Sequence, residues 1–261
     1  MCLIAWDWQP KSSTRLLLLS NRDEFYARPD QALHWWDGEQ ILAGKDLQGG
    51  GTWLGVSRSG RLAALTNYRD PTHNNPAAPT RGALVTNFLQ SEQAADTYLA
   101  SLASQTDHYN PFNLLVYDGQ QMLGLESRHR KVVPISAGVG GVSNADFDTP
   151  WPKLQTLKQG LQSQLVADAT DTEALLALLQ NSTPAADADL PHTGIPLELE
   201  RTLSAAFIRS PAYGTRASSV IRISNTGSTF TELRFGATGV LGRYTVLSGL
   251  LRGTCKVNCA P

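Results

Sequence analysis

A chain of 261 residues is long enough for one large domain or two small ones, and for a sizeable buried core. Hydrophobic residues make up 41 % and charged residues 17 %, and 22 Lys plus Arg against 23 Asp plus Glu leave a net charge of −1. That balance gives no electrostatic case for nucleic acid or an anionic membrane as the main partner.

No stretch approaches the ~18 apolar residues of a membrane helix, so no integral membrane segment is expected. No basic n-region with a following apolar run opens the chain, so the expected location is the cytosol, that is, cytoplasmic.

In chain order, residues 2–8 (CLIAWDW) alternate loosely and predict a strand. Residues 15–21 (RLLLLSN) predict a second, joined to the first by the KSST turn as a hairpin. NRDEFYARP then reads as an irregular segment that Pro29 helps to end. Residues 49–68 read as another hairpin, with strands over 53–57 and 61–68 and a Ser59-Gly60 turn. Helix is expected over 80–104, with SEQAAD opening a helix at Ser91. A third hairpin spans 112–127 around Asp118-Gly119. Two helices are expected over 150–181, with Pro152 near the start of the first. A further helix is expected over 197–208, and a last hairpin over 218–235 turns at Asn225-Thr226-Gly227. Residues 182–196 read as a loop and those from about 250 as a loose tail. This order differs from the strand–helix alternation of a doubly wound parallel sheet. It suits antiparallel sheets with helices packed outside, in one domain over 1–261.

The chemistry starts at Cys2. Met aminopeptidase removes Met1 when the next side chain is small, and the mature chain then begins with one residue carrying both a thiol and a free α-amine. Ordinary pKa values of ~8.5 and ~7.7–8.0 let that amine take the thiol proton and return it to a leaving amine. Such a site needs a carboxylate to hold the amine, a cation beside the thiol and donors for an oxyanion. Asn21, Arg22, Asp23 and Glu24 end the strand that pairs with the Cys2 strand, and they supply the first two. On a regular strand Asn21 and Asp23 face one way and Arg22 the other, so filling both roles requires a bend. Asn67 in LAALTNY and Asn144 in GGVSNADF are candidate oxyanion donors, each at the end of an apolar or glycine-rich run. The glycines of GGGTWLG are followed by no Lys-Ser/Thr pair, which argues against a phosphate-cradling loop. The five histidines show no metal spacing, no metal is expected, and Cys255 and Cys259 read as thiols on the tail.

The blocks MC, NRDEFYARP, GGTWLGVS, LAALTNY, GVSNADFDTPWPK and YGTRASSVI run in that order from Met1 to about Phe235. Together they resemble the NRDE family, also called the transport and Golgi organisation protein 2 family. The resemblance implies an α+β fold, the four-layer αββα sandwich of two antiparallel sheets found in N-terminal nucleophile hydrolases. The pattern is similar to the cysteine branch of that fold, which includes bile-salt hydrolases, penicillin V acylases and acid ceramidase. Carried over, Cys2 is nucleophile and base, and Asp23 holds the α-amine. Asn67 and Asn144 help to form the oxyanion hole, and Arg216 is a second cation near the nucleophile. Asn21, Arg22 and Trp53 are expected to bind around it. That branch usually reads Arg-Asn-x-Asp, whereas this chain reads Ser20-Asn21-Arg22-Asp23, with the arginine third. The family is also associated with haem trafficking and with acyl-CoA and lipid homeostasis. Two expectations follow. One is a hydrolase of a non-peptide amide or thioester bond in a small amphipathic ligand, needing no cofactor. The other is a cytosolic carrier of haem or acyl-CoA, with Cys2 as the thiolate available to a haem iron.

Overall fold

The computed structural model describes residues 2–38 and 40–249, and the backbone of 256–260. Met1 and Cys255, which carry two of the expectations above, lie outside the described residues.

One sheet is ordered β10 (Gly138–Val142), β1 (Cys2–Trp8), β2 (Thr14–Phe25), β11 (Tyr213–Ser224), β12 (Gly227–Gly236), β13 (Gly239–Gly249), β14 (Lys256–Ala260). The other runs in chain order through β3 (Asp30–Trp35), β4 (Ile41–Asp46), β5 (Leu54–Ser57), β6 (Leu62–Asn67), β7 (Phe112–Tyr117), β8 (Met122–Glu126) and β9 (Lys131–Pro134). Neighbouring strands pair antiparallel throughout.

The sheets face each other. Ile4, Trp6, Leu16 and Leu18 of the first sheet pack against Leu42, Val56, Leu62 and Leu115 of the second. The alternate residues Leu3, Ala5, Leu17 and Leu19 face outward against α3 (Pro152–Val166) and α4 (Thr172–Leu179). Burial on both faces is why RLLLLS reads as a continuous apolar run without alternation. On the far side, α1 (Gly82–Gln90) and α2 (Ala95–Ala103) cover the second sheet. Leu84, Val85, Phe88 and Leu89 of α1 form the stripe that its period places on one face. Each such side chain contributes about 1.5–3 kcal/mol on burial. The layers are therefore αββα.

The hairpins over 2–21, 53–67, 112–126 and 213–236 form where the sequence places them. Three features differ. The NRDE stretch is not irregular: β2 runs on through Asn21, Arg22, Asp23 and Glu24 to Phe25, because β1 and β11 pair with it on both sides. Within 80–104 the second helix opens at Ala95 and not at Ser91, because Ser91 is extended and the Ala95 N–H donates to Asp118 Oδ2 at 2.9 Å. Strands β3, β4, β9, β10, β13 and β14 are additional, and β14 lies in the stretch expected to be a loose tail, where pairing with β13 extends the sheet. Glycine-rich β10 (GVGGV) shows little side-chain alternation, and its glycines are needed for close approach. A Cβ on Gly140 would lie 2.7 Å from the Trp6 ring, and one on Gly141 2.5 Å from Leu154.

Two tests follow. A Cβ on Gly51 would lie 2.3 Å from the carbonyl carbon of Gly82, where the 49–52 loop meets the start of α1. Gly51→Ala is therefore expected to cost about 1–3 kcal/mol in urea unfolding, as overpacking against backbone does; an unchanged midpoint would refute that contact. Glu232, 1 % exposed on β12, accepts one bond from Leu33 N–H at 2.9 Å, and burial pushes its carboxyl up to about 7. A raised folded pKa means that the cost of ionising is absent below the unfolded value and fully present above about 7. The stability of wild type relative to Glu232→Gln should thus fall by about 3 kcal/mol between pH 4.5 and pH 8, and a constant difference across that window would contradict it.

Candidate active site

The register of the first hairpin sets the site. Cys2 pairs directly with Arg22, so both side chains stand on the face between the sheets. Asn21 points the other way, into the helical layer. Its Nδ2 donates to the carbonyls of Leu179 (2.7 Å) and Ala206 (2.8 Å), and its Oδ1 accepts from Ser218 (2.6 Å). Asn21 is therefore a buried strut that ties β2 to the helices, and it does not line the cleft. Asp23 lies one residue beyond Arg22, and Thr215 Oγ1 donates to its Oδ1 at 2.7 Å. Arg22 and Asp23 leave opposite faces of β2, yet both line the cleft at Cys2. β2 carries both without a bend, since its pairing with β1 is regular from Leu16 to Arg22.

The cleft has a volume of about 430 Å³. Cys2, Arg22 and Asp23 form one wall, with Trp53 and Asn67 beside them and the 75–82 segment with Arg81 opposite. The Arg22 guanidinium stacks on Trp53, 4.2 Å from the ring centroid. A larger depression of about 560 Å³ shares Asn75 and Asn110 with the cleft, but no cysteine lines it.

Behind Arg22 lies a carboxylate that the sequence reading missed. Asp30 accepts from Arg22 Nη1 at 2.5 Å, from Arg216 Nη2 at 3.0 Å and from Arg234. Arg216 occupies a bulge in β11, between Thr215 and Ala217, and its Nη1 donates to the carbonyls of Phe25, Tyr26 and Arg28. Its guanidinium thus holds the turn after β2 and is not presented to Cys2, as the resemblance implied; the bulge redirects it.

Asn144 is also placed differently from the expectation. It is fully buried, and its Nδ2 donates to the backbone carbonyl of Asn67 at 2.9 Å. Its Oδ1 accepts from Lys153 Nζ at 3.3 Å. Asn144 therefore supports Asn67 from behind, and Asn67 is the asparagine of the pair that lines the cleft.

Lys153 is the second group that the sequence reading missed. It lies at the start of α3 and is 4 % exposed. A cation at a helix N-terminus opposes the helix dipole, and that anomaly in TPWPK was the available signal. Burial pushes Lys153 down to about 8, against the pull of Asp23. Burial likewise raises the Asp23 carboxyl, with Lys153 the strongest opposing charge. The Cys2 thiol, 7 % exposed, is raised by burial and further by Asp23, while Arg22 opposes. Among the described residues no group of three or more His, Cys, Asp or Glu side chains is arranged to hold a metal.

Known proteins share both sequence and architecture with this chain. The profile of the family described as Transport and Golgi organisation 2 matches residues 1–236. The Transport and Golgi organization protein 2 homolog of Bos taurus is 37 % identical over 260 residues, covering 89 % of this chain and 92 % of that protein. The Homo sapiens homolog is 36 % identical over 255 residues with the same coverage. Among solved structures, a cysteine-to-alanine mutant of conjugated bile acid hydrolase from Clostridium perfringens matches with a TM-score of 0.55 at 8 % identity. That match covers 100 % of this chain and 97 % of the hydrolase. The two-sheet core with helices outside is thus the N-terminal nucleophile hydrolase fold. The chain belongs to the Transport and Golgi organisation 2 family.

Proposed function

We propose that the protein is an N-terminal cysteine hydrolase of a non-peptide amide or thioester bond in a small ligand with a polar head. The observation that carries this reading is the Cys2 thiol at the cleft, flanked by the Arg22 cation and the Asp23 carboxylate. With Met1 removed, the α-amine of Cys2 accepts the thiol proton as Sγ attacks the carbonyl carbon. The amine then gives that proton to the leaving nitrogen or sulfur as the C–N or C–S bond breaks. Water, deprotonated by the same amine, releases the acyl group from Sγ. Asp23 holds the amine, Arg22 stabilises the thiolate, and Asn67 is the side chain placed to donate to the oxyanion.

A carrier reading has its own support. Arg22 is already paired with Asp30, which weakens its pull on the thiol. Arg28 and Arg81 on the cleft wall suit the anionic groups of an acyl-CoA. Haem fits less well. Arg22, Asp23, Glu24, Arg28, Asp46 and Arg81 crowd charge around Cys2, the thiol available as axial ligand, whereas a porphyrin needs apolar walls.

Protein with Cys2 at its mature N-terminus, confirmed by intact mass, should gain the mass of an acyl group on Cys2 from an activated amide or thioester. Cys2→Ser should fold with an unchanged melting curve and lose turnover by at least about a thousandfold, the scale of losing a nucleophile. Labelling that reaches other residues but never Cys2 would defeat the hydrolase reading. Titration with palmitoyl-CoA separates the two readings: turnover is expected for the hydrolase, and saturable micromolar binding without turnover for the carrier.

A further inference from the structure

Three acids and three arginines line the Cys2 cleft. Five of the six are engaged within the protein. Arg22 lies 2.5 Å from Asp30, and Arg28 lies 2.8 Å from Asp46 and 3.7 Å from Glu24. Asp23 accepts from Thr215 Oγ1 at 2.7 Å. Arg81 is the exception: among the described residues it has no ion-pair partner. Its one hydrogen bond runs from Nη1 to the carbonyl of Pro111 at 3.0 Å. Nε and Nη2 have no partner among the described residues, and neither is sealed from solvent. Those two nitrogens form the side edge of the guanidinium. Their parallel N–H bonds are the fork that a carboxylate or a phosphate takes bidentate. Arg81 is half-buried, and burial pushes its guanidinium down, with Cys2 and Glu24 opposing. A cation drawn partly out of water without a close counter-ion is costly, and an anionic ligand would offset that cost.

The wall that presents the fork is fixed at both ends. Asn110 clasps Asn75, accepting from its N–H at 2.7 Å and donating to its carbonyl at 2.9 Å. Arg81 is anchored on Pro111, the next residue along from Asn110. Gly82 packs on the 49–52 loop, where a Cβ on it would lie 3.2 Å from Gly51 Cα. The fork is thus held before any ligand arrives, which lowers the ordering cost of binding. α1 begins at Gly82 with no acidic residue in its first turn, so its dipole favours the same sign of ligand charge.

We propose that Arg81 is the specificity-determining residue of the Cys2 cleft, and that the ligand carries an oxyanionic head, a carboxylate or a phosphate, which Arg81 Nε–H and Nη2–H hold. The proposal rests on the reading that this cleft takes a small ligand with a polar head, and it requires no turnover. Arg22 and Arg28 share their charge with acids of the protein, so discrimination between an anionic and a neutral head falls to Arg81.

The test is protection of Cys2. Protein with Cys2 at its mature N-terminus is alkylated with iodoacetamide, and the label on Cys2 is followed by peptide mass. Hexanoate, hexyl phosphate and the neutral hexanamide are the competitors. At least one anion should protect saturably, at a concentration about tenfold or more below that of hexanamide, the scale of one charged hydrogen-bonded pair. Protection by hexanoate alone assigns a carboxylate head, and by hexyl phosphate alone a phosphate; either supports the proposal. Arg81→Gln, which can still donate to the Pro111 carbonyl, should raise the half-protecting anion concentration about tenfold or more and leave that of hexanamide unchanged. Arg81→Lys, a point charge without the fork, should recover only part of the difference. No protection by either anion, equal protection by hexanamide, or anion protection unmoved in Arg81→Gln overturns the proposal. If Arg81→Gln does not fold, anion protection undiminished in Arg81→Lys overturns it. Alkylation reports occupancy without turnover. Anion protection in a protein that no activated thioester acylates therefore supports this proposal and counts against the hydrolase reading alone. Acylation of Cys2 without anion protection does the reverse.

Discussion

The site depends on Asp30. This carboxylate, 3 % exposed, stands at the start of the second sheet and accepts from arginines on three strands of the first: Arg22 on β2, Arg216 on β11 and Arg234 on β12. It is the charged fastening between sheets whose facing sides are mostly apolar. Buried guanidiniums without a counter-ion are strongly destabilising, so the three arginines and Asp30 stand or fall together. Because Arg22 is the direct cross-strand partner of Cys2, the same fastening fixes the cation beside the thiol.

A second ion cluster lies on the opposite face of β2, where Asp23, Lys153, Arg69 and Glu200 meet. The two clusters are separated by the thickness of one strand, and Cys2 sits where that strand's neighbour ends. The arrangement explains why a buried thiol with a raised pKa is found among so many charges. Asp23, Lys153, Arg69 and Glu200 balance formally, whereas Asp30 faces three arginines; at Cys2 burial is the largest influence, with Asp23 raising the thiol and Arg22 lowering it. On the hydrolase reading proposed above, a thiol raised by burial puts the weight on proton removal during attack, a role an N-terminal amine suits.

Asp46 couples the cleft wall to the same framework. It accepts from Arg28 Nε at 2.8 Å, lies 3.7 Å from Arg22 Nη2, and takes the N–H groups of Gln48 and Gly49. The 48–52 loop then packs backbone to backbone on the start of α1 through Gly51 and Gly82. The tightness of GGGT is therefore a matter of closing the cleft and not of cradling a phosphate.

Much was legible in the residues alone. The hairpins, the paired helices over 150–181 and the nearness of Cys2 to Asp23 follow from local apolar patterning, turn residues and strand pairing, which are written in short stretches of chain. The resemblance added the αββα architecture, and the two facing sheets carry it. What local pattern could not specify was the destination of long polar side chains. Arg216 looked like a cation for the thiol, but a bulge created by pairing with β2 turns it to Asp30. Asn144 looked like an oxyanion donor, but the approach of α3 commits its amide to Lys153 and Asn67. Asn21 is drawn into the helical layer for the same kind of reason. Lys153 and Asp30 drew no notice because a lone Lys or Asp in sequence is ordinarily solvated. Only the packing of distant segments removes the water and makes their partners decisive. The sequence by itself determined the hairpin that brings the start of β1 to the NRDE stretch, and the structure gave its register, Cys2 against Arg22. Tertiary structure decided which charges are buried with them, because desolvation is a property of the assembled layers and of no single strand.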